Sequence, residues 1–319
     1  AGKVMGIIMK NILTFLEENA IKYKDKTAFV DLNDSVTYAE LLARAQSIGS
    51  ALSKTGTKNK PVAVYFDKCV NTISAMLGVV YSGNFYVVID SEMPPARINK
   101  IFGALSPVAV ITDKKHHENA LQLEFSGEIF DLEEALSCEI NSEKLAQIRS
   151  RQIDTDPLYA LFTSGSTGVP KGAVVSHKSV MAYSEWVSNT FDITSETVFA
   201  NQTPFYFSMS VTDVYSTLRN GATLAIVPKM YFSFPIKLVE FLDEYKANTI
   251  YWVPSAISMV SNFKVFDFQK PKYLNKVLFA GEVMPTKQLN YWINNLPENT
   301  LFANLYGPTE TTDICTYYV

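Results

Sequence analysis

One stretch of the chain, Thr163 to Gly172 with the sequence T-S-G-S-T-G-V-P-K-G, concentrates residue types that bind anions. Glycine has no side chain, so backbone N–H groups at Gly165, Gly168 and Gly172 can approach a ligand closely. Lys171 adds a positive charge, and four side chains add hydroxyl donors: Thr163, Ser164, Ser166 and Thr167. A polyphosphate requires many convergent donors without bulk, so the stretch predicts a phosphate-binding loop.

Two other interpretations concern the same loop. The P-loop pattern G-x-x-x-x-G-K-[ST] does not fit, because Lys171 follows Pro170 and precedes Gly172. The loop also leads into a strand-like run, Ala173 to Val175, whereas a P-loop opens a helix. A flexible surface loop stays open as an alternative, since loops of serine, threonine and glycine are common.

The loop resembles the phosphate-loop signature of the adenylate-forming superfamily, which includes acyl-CoA synthetases, luciferases and the adenylation domains of nonribosomal peptide synthetases. The resemblance implies a reaction in which a carboxylate is joined to the α-phosphate of ATP and pyrophosphate is expelled. Such an enzyme positions two reactants and neutralises the triphosphate, using Mg²⁺ held by a carboxylate. ATP and Mg²⁺ are therefore the implied cofactors, and Thr163 and Lys171 the implied catalytic residues of the loop.

A second motif, Asn304 to Glu310 with the sequence N-L-Y-G-P-T-E, resembles the A-Y-G-P-T-E-like segment of the same superfamily. The resemblance implies that Asn304 bonds the adenine amino group, that Tyr306 offers a stacking face and that Thr309 donates to a phosphate. The other nucleotide-binding positions expected here and in the segment L-F-A-G-E-V-M-P are Gly281, Glu282, Leu305 and Gly307.

Glu310 is expected to be catalytic and to hold the Mg²⁺ ion. The residues alone also allow a simpler explanation, a Gly-Pro turn between a strand and a helix. Glu310 would then lie in the first turn of the helix, where the dipole favours an acidic side chain. The two explanations are compatible.

A third stretch, Thr203 to Tyr215, resembles the F-D-x-S-V-x-[DE]-x-[FY] segment of amino-acid adenylation domains. Ser208 stands where that segment has the aspartate that holds the α-ammonium of the substrate. The residues matched to the substrate pocket are mostly apolar: Phe207, Ser208, Met209, Thr212, Tyr251, Leu278, Ala280, Leu305, Asp313 and Ile314. Met209 and Leu278 are equally compatible with simple core packing.

Within the superfamily, the segments N-Q-T-P-F-Y-F, V-P-S and N-L-Y-G-P-T-E resemble the D-alanine–carrier-protein ligases. That branch has aspartate at the position of Ser208 and cysteine at the position of Ala280, so two hypotheses about the acid stay open. In the first, Asp313 replaces the missing carboxylate and holds an amine placed elsewhere on the substrate. In the second, the substrate is a hydroxy, keto or short acyl acid without an amine.

The elements that must position these residues alternate between strands and helices, which predicts an α/β fold with a doubly wound sheet. A capping box, Thr37 to Glu40, marks one helix start, and Ser176 can cap the helix after the loop. Glu118 to Asp156 is predicted to be a linker-like crossing between the two halves of the chain. His116 and His117, just before it, are predicted to be solvated loop residues. The resemblance implies two similar β-sheet subdomains flanked by helices, as in the truncated large N-terminal domain of an adenylate-forming enzyme.

The predicted organisation has four parts. Residues 1–10 are a tag or native leader, with Met5 or Met9 as possible initiators. Residues 11–156 form a first α/β subdomain, and residues 157–319 a second one with the phosphate loop. The C-terminal barrel and lid domain of the superfamily are expected to be absent, so little activity is expected of this chain.

Composition excludes several function classes. The net charge of −4 provides no basic face for nucleic acid. No apolar run approaches the roughly 18 residues of a membrane span. Three distant cysteines, Cys69, Cys138 and Cys315, indicate neither a disulfide framework nor a metal site, and fit a cytoplasmic protein.

The expected function is ATP-dependent adenylation of a small carboxylic or amino acid. Thioester transfer to a phosphopantetheinyl carrier protein would follow. An acyl-CoA synthetase, with CoA as the acceptor, is the alternative within the superfamily. A non-catalytic, truncated adenylation fold used for binding is the alternative of another class.

Overall fold

The computed structural model describes residues 11–163 and 170–319. The helices are α1 (Leu13–Lys22), α2 (Tyr38–Leu52), α3 (Val70–Tyr81), α4 (Pro95–Leu105), α5 (His117–Leu121), α6 (Leu132–Leu136), α7 (Ser142–Arg151), α8 (His177–Thr190), α9 (Met209–Asn220), α10 (Pro235–Glu244), α11 (Pro254–Asn262) and α12 (Thr286–Asn295). The strands are β1 (Thr27–Val30), β2 (Ser35–Thr37), β3 (Pro61–Phe66), β4 (Phe85–Asp90), β5 (Ala109–Thr112), β6 (Glu128–Asp131), β7 (Pro157–Thr163), β8 (Lys171–Ser176), β9 (Val198–Asn201), β10 (Thr223–Ile226), β11 (Thr249–Trp252), β12 (Lys276–Phe279), β13 (Leu301–Tyr306) and β14 (Thr316–Tyr318).

These strands form two sheets, and the predicted α/β fold with two sheets flanked by helices is confirmed. The six-stranded sheet has the order β6-β5-β3-β4-β7-β8, and the eight-stranded sheet has the order β14-β13-β12-β11-β9-β10-β1-β2. Neighbours pair in parallel except at β7–β8, β13–β14 and β1–β2. Antiparallel pairs thus close one edge of the six-stranded sheet and both edges of the other.

The change from one sheet to the other does not coincide with the predicted boundary at residues 156–157. Strands β7 and β8 follow that boundary but extend the six-stranded sheet of the first half. Strands β1 and β2 precede it but pair with the eight-stranded sheet of the second half through β10. The chain therefore enters the second sheet, leaves it and returns.

Alternation along the strands divides the core into layers. In β3, Val62, Val64 and Phe66 belong to a central cluster that also contains residues of α1, α2, α3, α8 and α9. Ala63 and Tyr65 of the same strand face a second cluster with α4. A third cluster packs α10, α11 and α12 on the far face of the eight-stranded sheet. Because successive side chains of a strand point to opposite faces, both sheets are buried on both sides.

Two helix starts follow local sequence as predicted. The Thr37 hydroxyl accepts a bond from the Glu40 backbone N–H at 3.2 Å, and the Glu40 carboxylate accepts from the Thr37 N–H at 2.8 Å. Ser176 accepts from the Ser179 N–H at 3.3 Å and caps α8. These caps satisfy backbone donors that a helix start leaves unpaired.

The prediction of a linker-like crossing between residues 118 and 156 is wrong. This segment contains most of α5 together with β6, α6 and α7, and β6 forms the edge of the six-stranded sheet. His116, predicted to be solvated, is buried, with Nδ1 2.6 Å from Asp113 Oδ1. The helices and strand of the segment 118–156 are short and lie at the edge of the six-stranded sheet, so they carry few apolar residues. The apolar spacing that identifies buried elements is therefore missing from this segment. Among the described residues no helix is both long and apolar enough to cross a bilayer.

The eight-stranded sheet reverses its winding between β9 and β11. From β9 the chain continues through α9 to β10 on one side, then through α10 to β11 on the other side of β9. In doubly wound sheets, ligands bind in the crevice outside the carboxyl ends of strands at such a reversal. The carboxyl ends of β9, β11, β12 and β13 therefore frame the candidate site.

Candidate active site

The predicted nucleotide-binding residues lie partly inside and partly outside the described residues. Thr163 ends β7, and Ser164, Gly165, Ser166, Thr167 and Gly168 lie outside the described residues. Lys171 begins β8 directly opposite Thr163 in the antiparallel pair and is exposed. The two strands thus place both ends of the predicted phosphate loop side by side.

The second motif lies at the end of β13 and packs against β8, the strand that follows the predicted phosphate loop. Asn304 and Tyr306 are exposed on β13, with 68% of Tyr306 accessible, whereas Leu305 between them is buried. Thr309 and the exposed Glu310 lie in a single 3-10 turn, Thr309–Thr311, that packs against β8. This turn replaces the helix expected after the Gly-Pro pair. Its contact with β8 brings Glu310 to the sheet edge that carries Lys171.

Gly307 is required by a close approach of two backbone segments. A Cβ atom at this position would lie 1.9 Å from the carbonyl oxygen of Asp313 and 2.6 Å from the Cα of Ile314. Side chains cannot occupy such distances, so glycine lets the segment 313–314 pack against the end of β13. Thr312, just before it, has φ +79° and ψ −55°, a strained conformation for a β-branched residue.

Asp313 is held by hydroxyl groups from three elements and is only 1% exposed. Its Oδ2 accepts bonds from Thr212 of α9 at 2.9 Å, Tyr183 of α8 at 3.0 Å and Tyr251 of β11 at 3.1 Å. Ser208, at the start of α9, donates to Oδ1 at 3.2 Å. We call these four residues the hydroxyl cage of Asp313.

The electrostatics of Asp313 combine burial with donation. Burial raises the pKa of Asp313 to about 6, and the hydrogen bonds from the cage oppose this rise. Among the described residues no lysine, arginine or histidine forms a salt bridge with Asp313. At neutral pH the described residues therefore surround a buried carboxylate with hydroxyl dipoles and no opposite charge.

Apolar residues of the predicted substrate pocket surround this carboxylate. One buried cluster contains Met209, Tyr251, Leu278, Ala280, Leu305 and Ile314. Met209 and Leu278 are packed as core residues would be, as the sequence allowed. Phe207 differs, because 55% of it is exposed beside the start of α9. The predicted pocket residues thus converge from five separate chain segments.

A cleft of about 440 Å³ opens next to the hydroxyl cage. Its lining residues come from α8, the 3-10 turn and the segment after it: Ser179, Tyr183, Trp186, Glu310, Thr311, Thr312, Ile314 and Cys315. Tyr183 connects the cleft with the buried carboxylate, since it lines the cleft and its hydroxyl donates to Asp313. Glu310 and Tyr183, one member of the cage, therefore line the same cleft.

Two expected nucleotide-binding positions follow β12. Gly281 adopts φ +90°, a left-handed conformation that favours glycine. The Glu282 carboxylate accepts bonds from the Ser255 N–H at 2.8 Å and from its hydroxyl at 3.1 Å. Glu282 therefore stabilises the start of α11 in this structure, a role that the motif did not indicate.

Tyr183 is the cage member that sequence reasoning missed. It lies in the middle of α8, 130 residues from Asp313, and no motif marks it. Its position on the buried side of an amphipathic helix was the only signal, and that signal also describes an ordinary core residue.

Comparison with known proteins identifies the family. The sequence matches the AMP-binding enzyme family over residues 16–319. The chain belongs to this family. An L-proline–[L-prolyl-carrier protein] ligase of Streptomyces coelicolor is 29% identical over 98% of the chain and 62% of that protein. A D-alanine–D-alanyl carrier protein ligase of Staphylococcus aureus is 30% identical over 95% of the chain and 60% of that protein.

The AMP-binding chain thus spans about three fifths of the length of these curated relatives. Among known structures, the nonribosomal peptide synthetase FmoA3 superposes with a TM-score of 0.86 at 21% identity. The match covers 97% of this chain and 32% of FmoA3. This similarity shows that the adenylation fold is shared.

Proposed function

We propose that this protein adenylates a small amino acid with ATP and that Asp313 holds the ammonium group of the acid. The observation that carries the proposal is the buried Asp313 carboxylate, which has hydroxyl donors but no cationic partner among the described residues. A buried carboxylate without a counter-charge is costly, and a substrate ammonium supplies that charge. The relatives named for proline and D-alanine support an amino acid as substrate.

The position of Asp313 supports an amine that is held from the segment after β13 and not from the start of α9. Asp313 follows the Gly-Pro turn, whereas Ser208, at the start of α9, is a neutral hydroxyl bonded to it. Ser208 and Asp313 together offer a hydroxyl and a carboxylate to one ammonium. The apolar residues Met209, Leu278 and Ile314 around them suit a small side chain. A hydroxy or keto acid would leave the carboxylate without its counter-charge.

The exposed residues at the strand ends suit the nucleotide. Tyr306 offers a ring face and Asn304 an amide, both exposed on β13. We assign Lys171 and the loop after Thr163 to the phosphates, where convergent donors stabilise charge along the triphosphate. Each role predicted for these residues remains part of the proposal.

The donor chemistry near the loop fits magnesium. Mg²⁺ is commonly held by one or two carboxylates together with substrate phosphates and water. The carboxylate of Glu310 is exposed in the 3-10 turn that packs against β8. We assign Glu310 to this ion, which would supply charge neutralisation between the phosphates. We assign Thr309, one residue earlier, to donate its hydroxyl to a phosphate oxygen.

The second half of the proposed reaction transfers the acyl group to the thiol of a phosphopantetheinyl carrier protein. Both relatives are named as carrier protein ligases, which favours a carrier over free CoA. Loading of a phosphopantetheinyl carrier protein, measured beside thioester formation with CoA, separates the two acceptors. The proposal predicts a carrier-bound thioester, and exclusive formation of a CoA thioester would contradict it.

Amino-acid-dependent exchange of pyrophosphate into ATP tests the adenylation step. The expected result is exchange with at least one amino acid and loss of about a hundredfold or more in Glu310→Gln, since Mg²⁺ neutralises the phosphates. Glu118→Gln, an exposed acid on α5, serves as the matched control and should keep wild-type exchange. A protein that binds Mg²⁺–ATP but shows no exchange with any acid would support the non-catalytic binding fold instead.

A further inference from the structure

The side chain of Lys68 connects the two sheets. It lies between β3 and α3 of the six-stranded half, yet its Nζ donates to the carbonyl oxygens of Asn201 at 3.1 Å and Gln202 at 2.9 Å. Both carbonyls lie at the carboxyl end of β9 in the eight-stranded sheet. The ammonium also lies 5.7 Å from the ring centre of Phe205, within range of a cation–π contact.

The segment that Lys68 holds leads directly into the substrate pocket. Asn201 ends β9, and its side-chain amide donates to Asp213 Oδ2 of α9 at 2.7 Å. Between these two residues the chain carries Ser208, Met209 and Thr212 of the predicted pocket. Lys68 therefore grips the base of a segment, residues 201–213, that supplies two members of the hydroxyl cage.

Another contact from the six-stranded sheet holds α9 just beyond this segment. The hydroxyl groups of Tyr86 on β4 and Tyr215 on α9 lie 2.6 Å apart. Burial and, after it, the neighbouring Asp90 at the end of β4 raise the pKa of the Tyr206 phenol. Tyr86 thus holds the middle of α9, while Lys68 holds the exit from β9.

Keeping the charged form of Lys68 in this position costs free energy of desolvation. Burial lowers the pKa of Lys68, and attraction to Asp213 opposes this change. Burial raises the pKa of Asp213, whose Oδ1 has no hydrogen-bond partner among the described residues. An apolar side chain could fill the space without this cost, so packing alone does not explain a lysine here.

We propose that Lys68 is a positioning residue for the acid substrate: it sets the place of residues 201–213, and with them Ser208 and Thr212, relative to the six-stranded sheet. The inference rests on the proposed function for its kinetic consequence. Its structural consequence, order in residues 201–213, does not depend on that function. Among the described residues, the hydrogen bonds of Lys68 go to Asn201 and Gln202 and to none of those assigned to ATP, so the acid and the nucleotide should respond differently to its loss.

Lys68→Met keeps most of the length of the side chain and removes the charge. A matched control is Lys26→Met, because the ammonium of Lys26 also donates to two carbonyls, those of Ser195 and Gly221, away from the pocket. In pyrophosphate exchange, Lys68→Met should raise KM for the amino acid by about tenfold or more while KM for ATP stays within about twofold. Lys26→Met should change neither constant.

Hydrogen–deuterium exchange of residues 201–213 gives a second readout that needs no activity. Lys68→Met should accelerate exchange in this segment and Lys26→Met should not. If no acid supports pyrophosphate exchange, the proposed function fails, yet faster deuterium uptake in 201–213 still supports the positioning role. Equal rises of both KM values, or unchanged uptake in 201–213, would overturn the inference.

A conservative variant covers the case in which Lys68→Met does not fold. Lys68→Arg retains the charge and the donors but changes their geometry. It should raise KM for the amino acid by a smaller factor, about two to fivefold, and leave KM for ATP unchanged. A rise of this size, with deuterium uptake in 201–213 close to wild type, supports the role of the charge, and loss of ATP affinity contradicts it.

Discussion

The hydroxyl of Ser208 donates a 3.2 Å hydrogen bond to Oδ1 of Asp313, although 105 positions separate the two residues in the chain. Ser208 opens α9, and Asp313 follows the Gly-Pro turn after β13. The bond joins Ser208, where the motif resemblance leads one to expect an aspartate, to the carboxylate of Asp313. Under the proposed function, Asp313 supplies the carboxylate of the pocket from the segment after β13.

Restoring an acid at the first position should create two competing carboxylates. Ser208→Asp places a second negative charge beside Asp313, and two close carboxylates cannot both ionise without cost. The variant should lose roughly 1–3 kcal/mol of unfolding free energy at pH 8 and less at pH 5, where one carboxyl is protonated. Urea unfolding at both pH values measures this, with the neutral Ser208→Asn as control. Equal losses by both variants at both pH values would exclude carboxylate repulsion.

Asp313 should destabilise the folded state as the pH rises. Its pKa is raised from 3.8 to about 6 by burial, so the folded state binds the proton more tightly than the unfolded state. The resulting stability is present below pH 4 and is lost as the pH rises to 6, by up to about 3 kcal/mol. Asp313→Asn cannot titrate, so its stability relative to wild type should increase between pH 4 and pH 7. A constant difference across urea titrations at these pH values would contradict the raised pKa.

His177 should lower the stability of the folded state as the pH decreases, the opposite of the effect of Asp313. Burial lowers the pKa of His177 to about 4, and Asp156 opposes the change. The unfolded state therefore takes up a proton near pH 6.5 that the folded state refuses until pH 4. Stability should fall by up to about 3 kcal/mol across this window as the pH decreases. His177→Gln should show a shallower acid loss in urea unfolding, and a slope identical to wild type would show that His177 does not contribute.

Gly307 should tolerate no side chain. Gly307→Ala places a Cβ 1.9 Å from the Asp313 carbonyl oxygen, and one of the two backbone segments must move. We expect a loss of roughly 3 kcal/mol in unfolding free energy. Gly103→Ala is the matched control, because nothing lies within 4 Å of a Cβ at this exposed position of α4. It should be neutral or stabilising by about 0.5–1 kcal/mol, so equal effects of the two variants would refute the close-approach argument.

Local sequence predicted many elements well. The capping box from Thr37 to Glu40 opens α2, as predicted. Ser176 caps α8 after the loop, which was also predicted. These elements are buried on one or both faces, so their apolar spacing and their capping residues predict them from local sequence.

Pairing between distant segments was not predictable in the same way. Strands β1 and β2 are only four and three residues long and join the sheet of the other half. The hydroxyl cage joins Ser208, Thr212 and Tyr251 with Tyr183 around Asp313, and only the motif resemblance indicated the first three. Hydrogen bonds between residues more than 60 positions apart produce no periodic pattern in the sequence. The contacts of Tyr183 and Lys68 could therefore be identified only from the structure.

The most direct test compares an amino acid with its desamino analogue in wild-type protein and in Asp313→Asn, by acid-dependent pyrophosphate exchange into ATP. The account predicts a strong wild-type preference for the amino acid. Asp313→Asn should reduce that preference by about a hundredfold to several thousandfold, since losing one partner of a buried ion pair costs about 3–5 kcal/mol. Wild-type protein that activates the desamino acid equally well, or an Asp313→Asn variant that retains the full preference, would contradict the assignment of Asp313 to the substrate ammonium.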